Sequence, residues 1–393
     1  MRQNIKKKRA PVAVRDANNL SDSVIIGRYA TAATIANDTL AVLARAIVIG
    51  AKLVDLVQLG DNTITAALAA LPDRPSKSGT CFPVCISLNG VVGHYAPVEG
   101  DEEIALGDVV KVELGVHVDG YIASAGTTVV VGTNVYASPD ALLTHPLGDR
   151  LSRAMAAGTY AMQAIARSLR PGTSNLLIRD MASSLLASFD VQAVDRCISF
   201  SAAQFVADGP KHLALKPPVA ADPETHIEEA FVAVNDVFVV DVRVSTGTGH
   251  LKLMEVRPTV YRRNLDETYM LRTKLARTAL SEVDHRFPTF PFSVGQLTGG
   301  AHARFGLKQA EQANLVDPFI MARERSANDV VVLYKATMLV TATETIISTF
   351  VPTFPEGFGA DAIVDQGLRA VLAQDLVHNG QPLQFTPPET MDM

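Results

Sequence analysis

The sequence predicts an α/β (α+β) protein made of two related halves with an inserted subdomain, and three observations predict it. The first is the stretch Gly107-Asp-Val-Val-Lys-Val-Glu-Leu-Gly115, whose alternating β-branched residues read as a strand ending in a carboxylate and a glycine. After the turn Asp119-Gly120, the returning strand Tyr121–Val131 brings Ser124 to the same region. An acid on each strand of such a hairpin would be half of a two-metal hydrolase site; here one strand carries Glu113 and the other a serine. The second observation is a repeat. Ala44-Arg-Ala-Ile-Val-Ile-Gly50 resembles Ala166-Arg-Ser-Leu-Arg-Pro-Gly172 at an offset of 122 residues, and Gly107–Glu113 resembles Asn235-Asp-Val-Phe-Val-Val-Asp241 at an offset of 128. Two helices and a strand ending in an acid, in the same order twice, indicate a duplicated unit that sets Glu113 and Asp241 facing across a pseudo-two-fold axis. The third is that residues 264–329 break the second copy, as an insertion would.

The elements follow in order. Residues 1–20 form a basic arm. Asp22 is an N-cap, and Ile25, Ile26, Tyr29, Ala33, Leu40, Leu43 and Ile47 fall at helical spacing up to about Ile49. Gly50 ends that helix, and a second runs from about Val54 to Leu71. Pro72–Gly79 is turn-rich, and Cys81–Leu88 and Val91–Tyr95 are strands preceding the hairpin; Ser138–His145 is a loop. The second half opens with helices Leu151–Leu169, stopped by Pro171-Gly172, and Leu176–Phe189, followed by strands Ala193–Ser201 and Asn235–Val244. Ser245-Thr-Gly-Thr-Gly249 reads as a turn. The segment Asn264–Asp329 lies between strands Val256–Arg262 and Val330–Val340. It holds a helix at about Leu271–Arg286, a Phe/Pro segment Phe287–Phe292 and a mixed stretch. The expected divisions are an arm (1–20), a main domain (21–263 and 330–375), an inserted subdomain (264–329) and a tail (376–393).

With 48% hydrophobic and 19% charged residues, the chain has enough apolar material for a large core. Cys81, Cys85 and Cys197 cannot form a disulfide framework and suit a reducing compartment; Cys81 and Cys85 lack histidines at ligand spacing and read as core. No apolar run reaches bilayer length, since Thr39–Ala51 is short and broken by Arg45, so no membrane association is expected. The charged start has no apolar stretch after it and is not read as a secretory signal. The net charge of −6 is unevenly spread: residues 1–9 carry +5, residues 257–308 a further +5, and the rest −16. Two basic regions on an acidic body suggest contact with a polyanion, against the plainer reading of solvated faces. No phosphate-cradling loop, His-Glu-x-x-His helix motif or nucleophile elbow is present.

Phe82-Pro83, Ser87-Leu88-Asn89, His94-Tyr95, Pro97 and Lys111-Val-Glu-Leu-Gly115 resemble the first-half signature of the type II methionine aminopeptidases, which have the pita-bread (creatinase/aminopeptidase) fold. The insertion at 264–329 sits where type II members carry theirs. Gly115-Val-His-Val-Asp-Gly120 and Ser281-Glu-Val-Asp-His-Arg-Phe287, with Pro291-Phe292, more closely resemble their non-peptidase relatives, the proliferation-associated (ErbB-receptor-binding) proteins. The resemblance leaves out the basic arm and the Pro-rich tail.

The family's peptidases hold two metals on two aspartates, a histidine and two glutamates. The resemblance implies that the aspartates fall on Glu113, which keeps the charge, and on Ser124, which cannot bridge two cations. The histidine falls on Phe200, which has no donor atom, and the glutamates on Asp241 and on Lys335, a cation. Three of five ligands are replaced, so no metal and no other cofactor is expected. A Lys335 ammonium between Glu113 and Asp241 would occupy the space of a metal and pair with both acids. Against this, Glu113 and Asp241 could be ordinary strand-end carboxylates. His94 matches the family's substrate-facing histidine and is expected to be retained for packing or hydrogen bonding. His117 reads as a surface or fold-specific residue, and Phe200 as a core filler.

The resemblance implies a catalytically inactive protein, not an enzyme, that binds the large ribosomal subunit near the polypeptide exit tunnel through rRNA and tunnel-rim proteins. Lys6, Lys7, Lys8 and Arg9 of the arm, with Arg262, Arg263, Arg272, Lys274 and Arg277, would supply phosphate contacts with marked salt dependence. Lys274 and Arg277, three residues apart, share a helical face. The chain lacks the lysine-rich end of some members. A cytoplasmic monomer is expected. The alternatives are a large-subunit biogenesis or export factor, with nuclear or nucleolar residence, a residual metallo-aminopeptidase using Glu113, Asp241 and His94, and an adaptor in signalling or transcription.

Overall fold

The computed structural model describes residues 18–72, 77–136, 138–217, 226–355, 357–383 and 385. The predicted contacts Lys6, Lys7, Lys8 and Arg9 lie outside them. The first half comprises helices α1 (Ser23–Ala46) and α2 (Leu53–Ala69), strands β1 (Ser78–Leu88) and β2 (Val91–Gly93), and the hairpin β3 (Val109–Val118) and β4 (Tyr121–Val130). The second comprises α3 (Asp149–Ser168), α4 (Asn175–Ser188), β5 (Gln192–Ala193), β6 (Ile198–Ala202), β7 (His212–Ala214), β8 (Val237–Ser245) and β9 (Leu251–Leu253). β10 (Val260–Arg263) leads into the segment expected as an insert, which holds α5 (Lys274–Arg286), β11 (Phe292–Ser293), α6 (Gly300–Gln312), β12 (Val316–Pro318) and β13 (Ala322–Glu324). Then come β14 (Val331–Val340), β15 (Thr345–Ile347) and α7 (Gln366–Leu372). No described helix is long and apolar enough to cross a membrane.

Helix starts follow local chemistry. Asp22 accepts from the Val24 N–H, Ser174 from Leu176 and Thr273 from Ala276, each satisfying a donor the helix leaves unpaired. The large sheet runs β1-β3-β4-β14-β8-β6-β7, which is near-palindromic about the β4–β14 seam: each half puts its acid-bearing strand, β3 or β8, second from the centre. The repeat extends to the backbone. Gly50 and Gly172 sit at φ 82° and 85°, and Gly107 and Asn235 at 85° and 72°, left-handed positions that glycine and asparagine tolerate best.

Because strand side chains alternate, each central strand has two distinct faces. The even residues Val110, Val112, Leu114 and Val116 of β3 pack into one core with α1 and α2; Phe238, Val240, Val242 and Val244 of β8, with Val332, Tyr334 and Ala336 of β14, pack into another with α3 and α4. The odd residues of the same strands therefore face away from the helices. They include Lys111, Glu113 and His117 on β3, Asp241 and Arg243 on β8, and Lys335 on β14. Register completes the arrangement: Glu113 pairs with Gly126, Gly126 with Lys335, and Lys335 with Asp241. These four residues form one transverse row over β3, β4, β14 and β8. Gly126 is the member without a side chain, and a Cβ there would stand 3.0 Å from Lys335 Cβ and 2.7 Å from Leu333 Cδ2. Its bareness lets β14 close on β4 and lets the lysine reach over it.

The insert packs its own core from Tyr261 to Val316, including Phe287, Phe292, Leu307 and Leu315. Gln296 ties it to the first half, donating to Asp61 Oδ1 and Thr80 Oγ1 at 3.2 Å each. Several expectations are corrected here. The first helix ends at Ala46, three residues before Ile49. Residues 139–144, expected as loop, form a 3-10 helix, whose Leu142 is fully buried. The strand expected over Ala193–Ser201 is two short strands, broken where Arg196 takes a φ of 56°. The mixed stretch of the insert contains a helix, α6, followed by the short strands β12 and β13. The segment expected as a tail from residue 376 begins packed: Leu383 is buried, and its N–H donates to Thr173 Oγ1 at 3.0 Å.

Candidate functional site

The transverse row becomes a site because β8 adds a fourth charge. Arg243 lies two residues beyond Asp241, hence on the same face. Its Nε donates to Asp241 Oδ1 at 2.8 Å, and its Nη2 donates to Asp241 Oδ2 at 2.8 Å and to Glu113 Oε2 at 2.9 Å. Its Nη1 donates to the Val92 carbonyl at 2.5 Å. Lys335 Nζ reaches Glu113 Oε2 at 2.6 Å and Asp241 Oδ2 at 3.0 Å, and lies 4.8 Å over the Phe82 ring. All four residues are at least nine-tenths buried. Sequence reading placed Lys335 between the two acids and missed Arg243. The signal was present, since an arginine inside Val237-Phe-Val-Val-Asp-Val-Arg-Val must find a partner when the strand is buried.

Electrostatics favours full ionisation of the four. Burial would raise the Glu113 carboxyl, but Arg243, His94 and Lys335 outweigh it and hold it well below the usual range. Burial likewise opposes the Asp241 charge, yet Arg243 and Lys335 hold that carboxyl at about 2. Burial works against both cations too, and the two acids overcome it, raising Arg243 and Lys335 above their ordinary values. The result is a neutral cluster of two acids and two bases.

The remaining expected positions surround it. His94 is half-buried, with its ring edge-on to Phe82 at 5.2 Å and Phe319 at 5.4 Å. Its Nδ1 is 2.9 Å from Glu113 Oε1 but is not aligned for a hydrogen bond; its backbone N–H donates to that oxygen at 3.4 Å. Desolvation lowers the imidazole's pKa against the pull of Glu113. Packing thus describes His94 well. Ser124 is buried beside the row, two residues from Gly126 on the same face of β4, its Oγ 3.9 Å from Cys81 Sγ and its carbonyl accepting from Thr337 and Thr349. Phe200 on β6 pairs with Val239, on the Asp241 face, and packs edge-on to His212 at 5.1 Å; it is half-buried. His117 is not at the surface: it is buried, its ring 4.7 Å from that of Phe290 and tilted to it by 39°, and its Nδ1 accepts the Gly120 N–H. Cys81 and Cys85 are buried, as expected.

The basic residues of the insert divide into two sets. Arg262 is ion-paired with Asp208, and Arg263 donates to Asp284 at 2.7 Å and to the Leu315 carbonyl at 2.8 Å. Arg277 braces the turn before α5 by donating to the carbonyls of Leu271 and Arg272. Arg272 and Lys274 are exposed.

A dinuclear metal centre does not fit these residues. Two divalent ions need several anionic or imidazole donors, with open positions between them. Here the Glu113 and Asp241 oxygens that face each other are already occupied by a guanidinium and an ammonium, and two metals would add about four positive charges beside two fixed ones. Gly93 shows how closely the cluster is fitted. A Cβ there would overlap Arg243 Nη1 and stand 2.9 Å from Glu113 Oε1. Gly93→Ala is accordingly expected to lower stability by about 1–3 kcal/mol, as overpacking does. Urea unfolding measures it, and an unchanged midpoint would show that the cluster tolerates displacement.

The metallopeptidase family M24 matches residues 28–269, more than half of the chain. Proliferation-associated protein A of Dictyostelium discoideum is 30% identical over 98% of this chain and 97% of its own length. The ERBB-3 binding protein 1 of Solanum tuberosum is 31% identical over 82% of this chain and 80% of its own. Among solved structures, a thermophilic Arx1 shares the fold at a TM-score of 0.78 and 23% identity, with 91% of this chain and all of that one covered. Methionine aminopeptidase of Thermotoga maritima shares it at a TM-score of 0.55 and 12% identity, over 84% and 97%. The near-palindromic sheet and these likenesses agree: the chain is a pita-bread protein of the M24 metallopeptidase family and belongs to its proliferation-associated branch.

Proposed function

We propose that this chain is a non-catalytic aminopeptidase-like protein that binds the large ribosomal subunit near the polypeptide exit tunnel, through rRNA and proteins of the tunnel rim. The observation that carries the non-catalytic part is the cluster itself, in which Arg243 and Lys335 engage both carboxylates a metal would need. On this reading Glu113, Ser124, Phe200, Asp241 and Lys335 are the degenerate counterparts of five metal ligands. The ribosome part rests on kinship with the proliferation-associated proteins and on the basic insert. Arg272 and Lys274, exposed at the start of α5, are the residues best presented to phosphate; Arg262 and Arg263 would have to leave acid partners first. Lys6, Lys7, Lys8 and Arg9 would add to the same electrostatic attraction.

Sedimentation of the full-length protein through sucrose gradients tests this. The expected result is co-migration with large subunits and ribosomes at low salt and release at high salt, because phosphate contacts release counterions. Arg272→Glu/Lys274→Glu is expected to cut the bound fraction at moderate salt while leaving the thermal midpoint unchanged. Absence from ribosomal fractions at every salt concentration would sink the reading. Enrichment on precursor rather than mature subunits would move it to the biogenesis or export alternative.

A further inference from the structure

Arg243 carries an inference of its own. Arg243 Nη2 and Lys335 Nζ do not divide the carboxylates between them; they share the same two oxygens. Glu113 Oε2 accepts from both, at 2.9 and 2.6 Å, and Asp241 Oδ2 faces both, at 2.8 and 3.0 Å. One oxygen of each acid therefore bridges the same two positive centres, as bridging carboxylates do between paired divalent ions. The other oxygens are used as well: Asp241 Oδ1 accepts from Arg243 Nε, and Glu113 Oε1 lies against His94. Arg243 is held from behind by the Val92 carbonyl, in space that Gly93 leaves open.

We infer that Arg243 and Lys335 form a built-in pair of cations standing in for a dinuclear metal centre, and that Arg243 is the residue that keeps divalent ions out. The two are not equivalent guards. Lys335 is a flexible point charge on the seam strand, and exchanging it for glutamate would return an anion to the row. Arg243 would still span both bridging oxygens with a planar fork that matches carboxylate geometry and stays charged. An entering ion would have to evict that fork or sit beside it. Restoring the anion at 335 therefore does not restore the vacancy; removing the guanidinium does. The inference stands on the cluster geometry and is independent of ribosome binding.

The test is cobalt(II) binding to the full-length chain, by equilibrium dialysis with metal analysis and by the visible absorption of bound cobalt. The proteins are wild type, Lys335→Glu and Arg243→Leu/Lys335→Glu. Wild type is expected to bind no stoichiometric cobalt, and the double variant is expected to bind at least about tenfold more tightly than Lys335→Glu, a difference of about 1.4 kcal/mol. Equal affinity of Lys335→Glu and the double variant would overturn the role of Arg243 and leave the non-catalytic reading of the wild type standing. Stoichiometric cobalt on wild type, lost in Glu113→Gln, would overturn both. A folded double variant that binds nothing would also overturn the inference, since the row would then be no metal-like donor set. If the double variant fails to fold, Arg243→Gln/Lys335→Glu decides in its place. Cobalt must then raise its thermal midpoint while leaving that of wild type unmoved, and no rise counts against the inference.

Discussion

Glu113→Gln is expected to cost about 3–5 kcal/mol of folding stability, the scale on which removing one partner of a buried ion pair leaves a charge uncompensated. Glutamine is nearly the size of glutamate, so little cavity is created and the loss reports charge. Glu113 is the acid on which the cluster converges: Arg243, Lys335 and the His94 backbone all donate to it, while its own side chain is 2% exposed. After the change, two buried cations share Asp241 alone. Urea unfolding should show a lower midpoint with an unchanged m-value, because the folded state stays compact. Adding Lys335→Met should recover part of the loss, since it removes one stranded cation, and the double-mutant cycle gives the coupling. A cost below about 1 kcal/mol would mean that water reaches and screens the cluster, as it does for surface pairs.

The same cluster sets an acid limit. Both carboxyls titrate lower in the folded protein than in the unfolded chain, Asp241 at about 2 against an ordinary 3.8 and Glu113 also well below its usual value. Their contribution is therefore complete above the unfolded values, near pH 4–5, and is lost as pH falls through the folded ones. Wild type should lose stability steeply between about pH 4 and pH 2, and Glu113→Gln should show a shallower slope there.

How much of this was legible follows from where each signal resides. β3 and β4 were readable because alternation, the Asp119-Gly120 turn and the terminal acid are local features. Asp22 was readable as a cap for the same reason. The row Glu113-Gly126-Lys335-Asp241 needs register across four strands; the duplication supplied two members and kinship the lysine. Arg243 lies outside every position the resemblance maps, and its one local signal is that a charge in a buried strand demands a partner. Of the small sheet of β2, β13 and β9, β2 alone was readable, within Val91–Tyr95; each strand has three residues, and their pairing joins Val91, Lys252 and Arg323 from distant parts of the chain. Around α6, Gly299 at its N-cap and Gly300 and Gly306 within it hid the helix. Gly306 is required, since a Cβ there would stand 2.6 Å from the Leu275 carbonyl oxygen of α5.

Lys111→Met should stabilise the protein at neutral pH by about 1–4 kcal/mol, the range seen when a buried charge gives way to a well-packed apolar residue. Lys111 shares the Glu113 face of β3 but not its company. It is 1% exposed, and its hydrogen-bond acceptor among the described residues is the Asn89 carbonyl, at 2.6 Å. An ammonium has three donors to satisfy, and Arg243 adds repulsion nearby. Burial, then Arg243, lowers its pKa from 10.5 to about 7, with Glu113 and Asp108 opposing. At about 1.4 kcal/mol per unit, that shift bounds the penalty of the buried amine at about 5 kcal/mol. The sign is fixed by proton counting. Between pH 7 and 10.5 the unfolded chain holds a proton on this lysine that the folded chain releases, so wild-type stability from this group rises with pH. Methionine has nothing to titrate and lacks that rise. The advantage of the variant should therefore be largest below about pH 7 and fade toward pH 10.5. Unfolding midpoints across that interval measure it: converging curves support a penalised amine, and parallel curves with no gain would mean that Lys111 is charged and well paired in the fold.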